Sequence, residues 1–336
     1  MKNRIKWIDI AKCLGIFFVF LGHFSKDSGL FHDFVFKFHV PLFFFLAGCT
    51  ERISDNKLKN KTIKIKDYVI KNFKRIMIPF FMFAFMSLAV YLIIQNNGND
   101  LSDRVMEILN GVVRNEFVAQ SLWFLSCLFF MKIMFYFLKK IFKKIYFILP
   151  ICCVVSFCKY HYITQGTPSW VYNIDSALYY MVFYSFGYYL FNNVNKLLNS
   201  GRKIIKVTNI ILLLLTFYYA FQLFFGNDLF EFMRSVDIID KVYFMIRPLI
   251  LILFVLLISN RLTNFNILMD IGKDTLYLCG SEYIVKRLVV EFVGIFGFKI
   301  AFTSPLSCVL YVILLIMICY YILIPIEKKL LENIMK

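Results

Sequence analysis

Ten apolar runs separated by short loops leave this chain few folds to choose from. They fall at approximately 8–25, 35–50, 77–95, 119–138, 145–160, 176–191, 207–225, 243–258, 267–285 and 305–326. A hydrocarbon core of about 30 Å takes roughly 20 apolar helical residues, and backbone exposed to lipid must satisfy its hydrogen bonds within its own helix. The expectation is therefore an all-α integral membrane protein of about ten transmembrane helices. A soluble fold is excluded, because 60% of the 336 residues are hydrophobic against about 45–50% in globular chains. Forty-one Phe and 20 Tyr against 14 Gly and seven Pro likewise exclude disorder and fibrous repeats.

The net charge of +17 would raise the question of nucleic acid in a soluble protein. Here the positive charge sits in the short loops, where it anchors cytoplasmic ends beside anionic lipid, so no nucleic-acid partner is expected. Alternate loops hold 24 basic residues on one side of the membrane and ten on the other, which predicts that both termini are cytoplasmic. The outer loops are comparatively acidic, with Asp100, Asp103, Glu107 and Glu116 in one and Asp228, Glu231, Asp237 and Asp240 in another. No repeat or linker divides residues 1–336, so a single polytopic domain is expected. Ile10 to Phe24 follows a basic start but has no small-residue cleavage site, and is expected to stay in the mature protein. The nine cysteines lie in or beside apolar runs without a CxxC pair, so neither disulfides nor a metal site is expected. Phe292 to Phe302 is too short to span and reads as interfacial or re-entrant.

An ionisable side chain at mid-bilayer costs about 2.5–3.5 kcal/mol even on the gentler scale, so each one asks for a reason. Asp9, Ile16 and His23 are spaced by seven, and Lys12 lies about one turn from Asp9; on a helix all four share a stripe facing the bundle interior. Along the axis His23 is about 21 Å from Asp9, too far for a direct relay. A histidine there suits proton removal from a hydroxyl, or serves as a hydrogen-bonded helix end. His39 is a second histidine on the same outer side, in Phe38-His39-Val40-Pro41, where a capping or interfacial role competes. At the cytoplasmic entry of the third run, Lys71, Lys74 and Arg75 offer point charges and forked donors to phosphates, or anchor the helix at the lipid surface.

Taken in order, these segments resemble the membrane-bound acyltransferases of acyltransferase family 3, especially the fucose 4-O-acetylase branch. The resemblance rests on Arg4-Ile5-Lys6-Trp7-Ile8-Asp9-Ile10-Ala11-Lys12 followed by His23, and on Phe38-His39-Val40-Pro41-Leu42-Phe43-Phe44 with Gly48. It continues through Arg75-Ile76 to Pro79, Leu122-Trp123-Phe124-Leu125, and Asp175-Ser176-Ala177-Leu178 leading to Phe183 and Gly187. In two places the chain departs from the family pattern: Glu282 stands where a histidine frequently ends the ninth-span segment, and Asn72 where many members have an arginine three residues before the equivalent of Arg75.

The resemblance implies acyl-CoA, most simply acetyl-CoA, as a donor substrate rather than a tightly bound cofactor, and a cell-surface or lipid-linked glycan as acceptor. It implies a bacterial plasma-membrane enzyme with His23 as base, His39 and Glu282 beside the chemistry, Lys12, Lys71, Lys74 and Arg75 on the coenzyme, and Asp9, Trp123 and Asp175 shaping the site. The competing class is a proton-coupled secondary transporter, which the lack of repeated halves and of Gly- or Pro-interrupted spans disfavours.

Overall fold

A computed structural model describes residues 4–58, 63–95, 100–112, 120–142, 144–163, 170–231 and 237–335. Among these residues the structure is all-helical, with no strand. The first apolar run forms α1 (Lys6–Gly22), and the second is covered by α2 (Leu30–Phe36) and α3 (His39–Leu58). The third is α4 (Ile65–Asn72), a π-helical turn at Phe73–Met77, and α5 (Ile78–Gln95). After α6 (Leu101–Leu109) come α7 (Trp123–Ile141), α8 (Ile145–Ile163), α9 (Ile174–Asn199), α10 (Lys203–Phe224) and α11 (Asp237–Arg261). The last runs give α12 (Asn266–Lys273), α13 (Thr275–Ile295), α14 (Pro305–Ile318), a second π-helical turn at Cys319–Leu323, and α15 (Ile324–Met335).

Five stretches among the described residues are long and apolar enough to cross a membrane: Leu30–Leu58, Ile65–Ile94, Lys203–Phe224, Val242–Arg261 and Pro305–Met335. The other five runs also lie on helices, α1, α7, α8, α9 and α12–α13.

Two local expectations change. Phe292 to Ile295 is the end of α13, not a separate interfacial piece, and the helix stops just before Gly297, whose φ is +78°. Lys286, Arg287 and Glu291 cut the apolar run short, yet nothing in that sequence stops a helix. The stretch around Asp103, expected to be an outer loop, holds α6, whose Leu101, Val105 and Ile108 recur at helical spacing and whose Arg104 pairs with Asp100 at 3.0 Å and Glu107 at 3.4 Å. Its acidity reads as loop, while its periodicity is that of an amphipathic helix. Glu116 lies outside the described residues.

The helices form two compact units interleaved along the sequence. The first takes Met1–Asn60, Val182–Thr275 and Thr303–Val312; the second takes Lys61–Met181, Leu276–Phe302 and Ile313–Lys336. In the first, backbone meets backbone. A Cβ at Gly272 would stand inside the Asp9 carbonyl, one at Gly187 inside that of Phe45, and one at Gly48 inside that of Tyr184. Small residues permit such approaches between membrane helices, where lipid supplies no hydrophobic drive and close packing must. Around these crossings Trp7, Phe38, Leu42, Phe45 and Leu251 fill the interior. The second unit has its own core of Phe80, Phe83, Leu122, Leu125 and Phe129, with Gly280 leaving room for the Phe83 ring.

Candidate functional site

The predicted site residues divide between the units. Asp9, Lys12, His23 and His39 belong to the first; Lys71, Lys74, Arg75, Trp123, Asp175 and Glu282 belong to the second.

On α1 the expected stripe exists: Asp9 and Ile16 are buried, and Lys12 and His23 half-buried. Asp9, however, is held by Arg4, whose Nε and Nη2 donate to its two carboxylate oxygens at 2.6 and 3.2 Å. With its backbone pressed against Gly272, Asp9 fixes the start of α1. His23 is the residue at which α1 ends, its backbone N–H donating to the Val19 carbonyl.

His39 opens α3, and its ring is fixed. Nδ1 lies 2.7 Å from the Val35 carbonyl oxygen, which can only accept, so Nδ1 carries the hydrogen. In the neutral ring Nε2 is then the basic nitrogen. The bond adds a side-chain donor to a carbonyl near the C-terminal end of α2 that already accepts from the Phe38 N–H at 3.1 Å, so His39 ties the preceding helix to its own. The Phe36 ring meets the imidazole edge-on at 4.9 Å. A Cβ on Gly22, next to His23, would touch Val35 at 3.0 Å and Phe36 at 3.2 Å. Gly22, the residue before His23, thus meets the same Val35–Phe36 corner of the first unit as His39 does.

In the second unit Lys71, Lys74 and Arg75 are exposed around the π-helical turn. A π turn widens the helix by one residue and is often found at functional positions. Here it also has a local cause, because Pro79 has no N–H to give the Arg75 carbonyl and its ring would crowd that oxygen. Asn72 is buried and donates to the Tyr68 carbonyl at 2.8 Å, so it serves the helix and leaves the flanking cations to face solvent.

Trp123 begins α7, 6.0 Å from the Tyr180 ring. Asp175 sits in the first turn of α9 and accepts from the Ser176 N–H at 2.8 Å. Just before it, Tyr172 and Asn173 both have positive φ, 54° and 55°, a strained left-handed pair for residues other than glycine. The elbow is held by Asn173 Nδ2, which donates to the Gly111 carbonyl at 2.7 Å and to Ser126 Oγ at 3.1 Å. Glu282 is buried, with Lys286 Nζ donating to it at 2.6 Å. The carboxylate thus forms an ion pair one turn along α13. A buried carboxylate that the sequence did not single out, Glu327, accepts from Ser281 Oγ at 2.7 Å just after the second π turn. Its signal was the spacing Ile324-Pro325, which repeats the Ile78-Pro79 that follows the first.

Residues 5–324 match the acyltransferase domain that defines acyltransferase family 3. The chain belongs to acyltransferase family 3. The match reaches into both units and covers every residue of the predicted site, which sets acyl transfer ahead of the transporter alternative. No curated protein and no solved structure gives a significant match. As a member of this family the protein is a membrane acyltransferase, and its apolar helices agree with that setting.

Proposed function

We propose that this acyltransferase is an O-acetyltransferase of the bacterial plasma membrane, taking acetyl from cytoplasmic acetyl-CoA to a hydroxyl of a cell-surface or lipid-linked glycan. The family match carries the acyl transfer; the position of His23 at the end of α1, one residue beyond the Gly22 that meets the corner fixing His39, supports it as the base. The acceptor oxygen forms the new bond to the acetyl carbonyl carbon as the carbon–sulfur bond breaks. The hydroxyl proton passes to His23, and the departing thiolate takes a proton from the cytoplasmic side. Sugar hydroxyls ionise far above neutral pH, so the base acts within the transition state and positioning supplies much of the rate.

In this reading the ten apolar runs cross the membrane with both termini inside. The cations around the first π turn then lie on the side of the donor, and the histidines on the side of the acceptor. Cysteine labelling should place Lys74 and Arg75 in the cytoplasm and Asp100 and Asp237 outside; labelling of any of them from the other side would overturn the ten-span arrangement.

The donor site tests the function most directly. With protein in nanodiscs, calorimetry should show coenzyme A binding that weakens roughly 10- to 150-fold in Arg75→Ala, the equivalent of about 1.5–3 kcal/mol for hydrogen bonds to a charged group. Arg75→Lys keeps the charge without the fork and should lie between. Folded wild type that binds no acyl-CoA would remove the basis for the proposal.

A further inference from the structure

Arg247 lies inside the eighth apolar run, on α11 one residue before Pro248, and nothing in the acyl-transfer scheme uses it. It faces away from lipid: Val242 and Ile246 on the same helix are exposed, whereas Tyr243 is buried and the Arg247 side chain is only 14% exposed. Its guanidinium lies over the Tyr243 and Phe244 rings, at 5.7 and 5.2 Å. Yet among the described residues it donates no hydrogen bond, and its Nε is buried without a partner.

The nearest carboxylate, Asp228, turns Oδ2 toward Nη1 at 3.9 Å, while its Oδ1 accepts from the Tyr243 hydroxyl and the Phe230 N–H. Tyr243 in turn shares a hydrogen bond with Tyr219 at 2.7 Å. Asp228 is thus a charge partner of Arg247 beyond hydrogen-bond distance, and the guanidinium makes no hydrogen bond to it. Other charged groups complete the surroundings. Lys37, two residues before His39, is within electrostatic range of both Arg247 and Asp228 and donates to the Asp33 carbonyl at 2.8 Å. Asp240 lies on the Phe244–Arg247 side of α11. A desolvated arginine without hydrogen bonds is costly inside a membrane protein, and its planar fork matches carboxylate or phosphate.

We propose that Arg247, with Lys37 beside it, is a subsite for an anionic group of the acceptor, a carboxylate or phosphate carried by the glycan that is acetylated near His23 and His39. The proposal rests on the acetyltransferase reading for its acceptor but not for its binding chemistry. Anion binding in the first unit needs neither coenzyme A nor transfer, so the two can fail separately.

The test uses the full protein in zwitterionic nanodiscs, with inorganic phosphate and glucuronate as probes against chloride at equal ionic strength. Wild type should gain at least about 2 °C in its unfolding midpoint with one of them, by preferential binding to the folded state. Arg247→Gln should lose the gain and Arg247→Lys should keep part of it. A gain with phosphate assigns phosphodiester acceptors, and one with glucuronate assigns acidic sugars. Where acetyl transfer is measurable, the preferred anionic glycoside should exceed its neutral counterpart at least about tenfold in kcat/KM, and Arg247→Gln should erase that preference. No gain in wild type, an equal gain in Arg247→Gln, or a gain seen only on exchanging the nanodisc lipid for an anionic one would each overturn the subsite.

Discussion

Acetyl transfer by His23→Ala protein is expected to fall about 10²- to 10⁴-fold below wild type, the usual contribution of a positioned general base, with expression and membrane insertion unchanged. His23 ends α1 and its backbone N–H closes the last turn, so alanine keeps that hydrogen bond. Removing a half-buried ionisable ring also relieves a desolvation cost. The measurement is transfer of radiolabelled acetyl in nanodiscs, beside size-exclusion profiles of both proteins. A residual rate should survive from binding and positioning alone. Wild-type transfer by the variant would strip His23 of its role, and a collapsed profile would recast it as a folding residue.

Gly187→Val should prevent the first unit from closing. Overpacking a core typically costs about 1–3 kcal/mol because side chains can still shift. At this crossing the obstacle is the Phe45 backbone, with the Tyr184 backbone against Gly48 on the opposite helix, and helices cannot yield as rotamers do. Cys49 Sγ also reaches the Gly187 carbonyl at 3.3 Å across the same contact, so separating α3 from α9 loses that bond too. A cost at or above the upper end of that range is expected, seen as early thermal unfolding and protease sensitivity. Gly201→Val is the control, since a Cβ there meets nothing within 4 Å. Equal stability of the two variants would show that the crossing is not tight.

Periodicity and charge made the helices legible because a lipid solvent leaves the backbone little choice. The same logic failed where charge masked a helix, as in α6 and the last turns of α13. At Asp9 the stripe conveyed nothing of Arg4, which lies before the helix and donates to both carboxylate oxygens. Among the site residues, His23, Arg75 and Asp175 could be picked from the sequence by type and order. What no sequence pattern conveyed was how they are held: the tautomer of His39 set by the Val35 carbonyl, the left-handed pair before Asp175, and the ion pair of Glu282. Arg247 was visible by the same rule that drew attention to Lys12, an ionisable residue in an apolar run. Its importance lies in the hydrogen bonds it does not make, and those require coordinates.

The π-helical turn at Phe73–Met77 sets an angular phase for the whole third rod. A helix advances about 100° per residue, and a π turn holds one residue more than an α turn needs. Deleting a single residue there would restore regular α-helix and swing Lys71 and the rest of α4 by about that angle relative to Phe80 and Phe83, which are anchored in the core. The Lys71 end of this rod can thus be re-aimed by the gain or loss of one residue without disturbing the packed end. In this scaffold, length in a five-residue turn is a dial for direction, and the Ile-Pro step beyond it keeps the dial where it is.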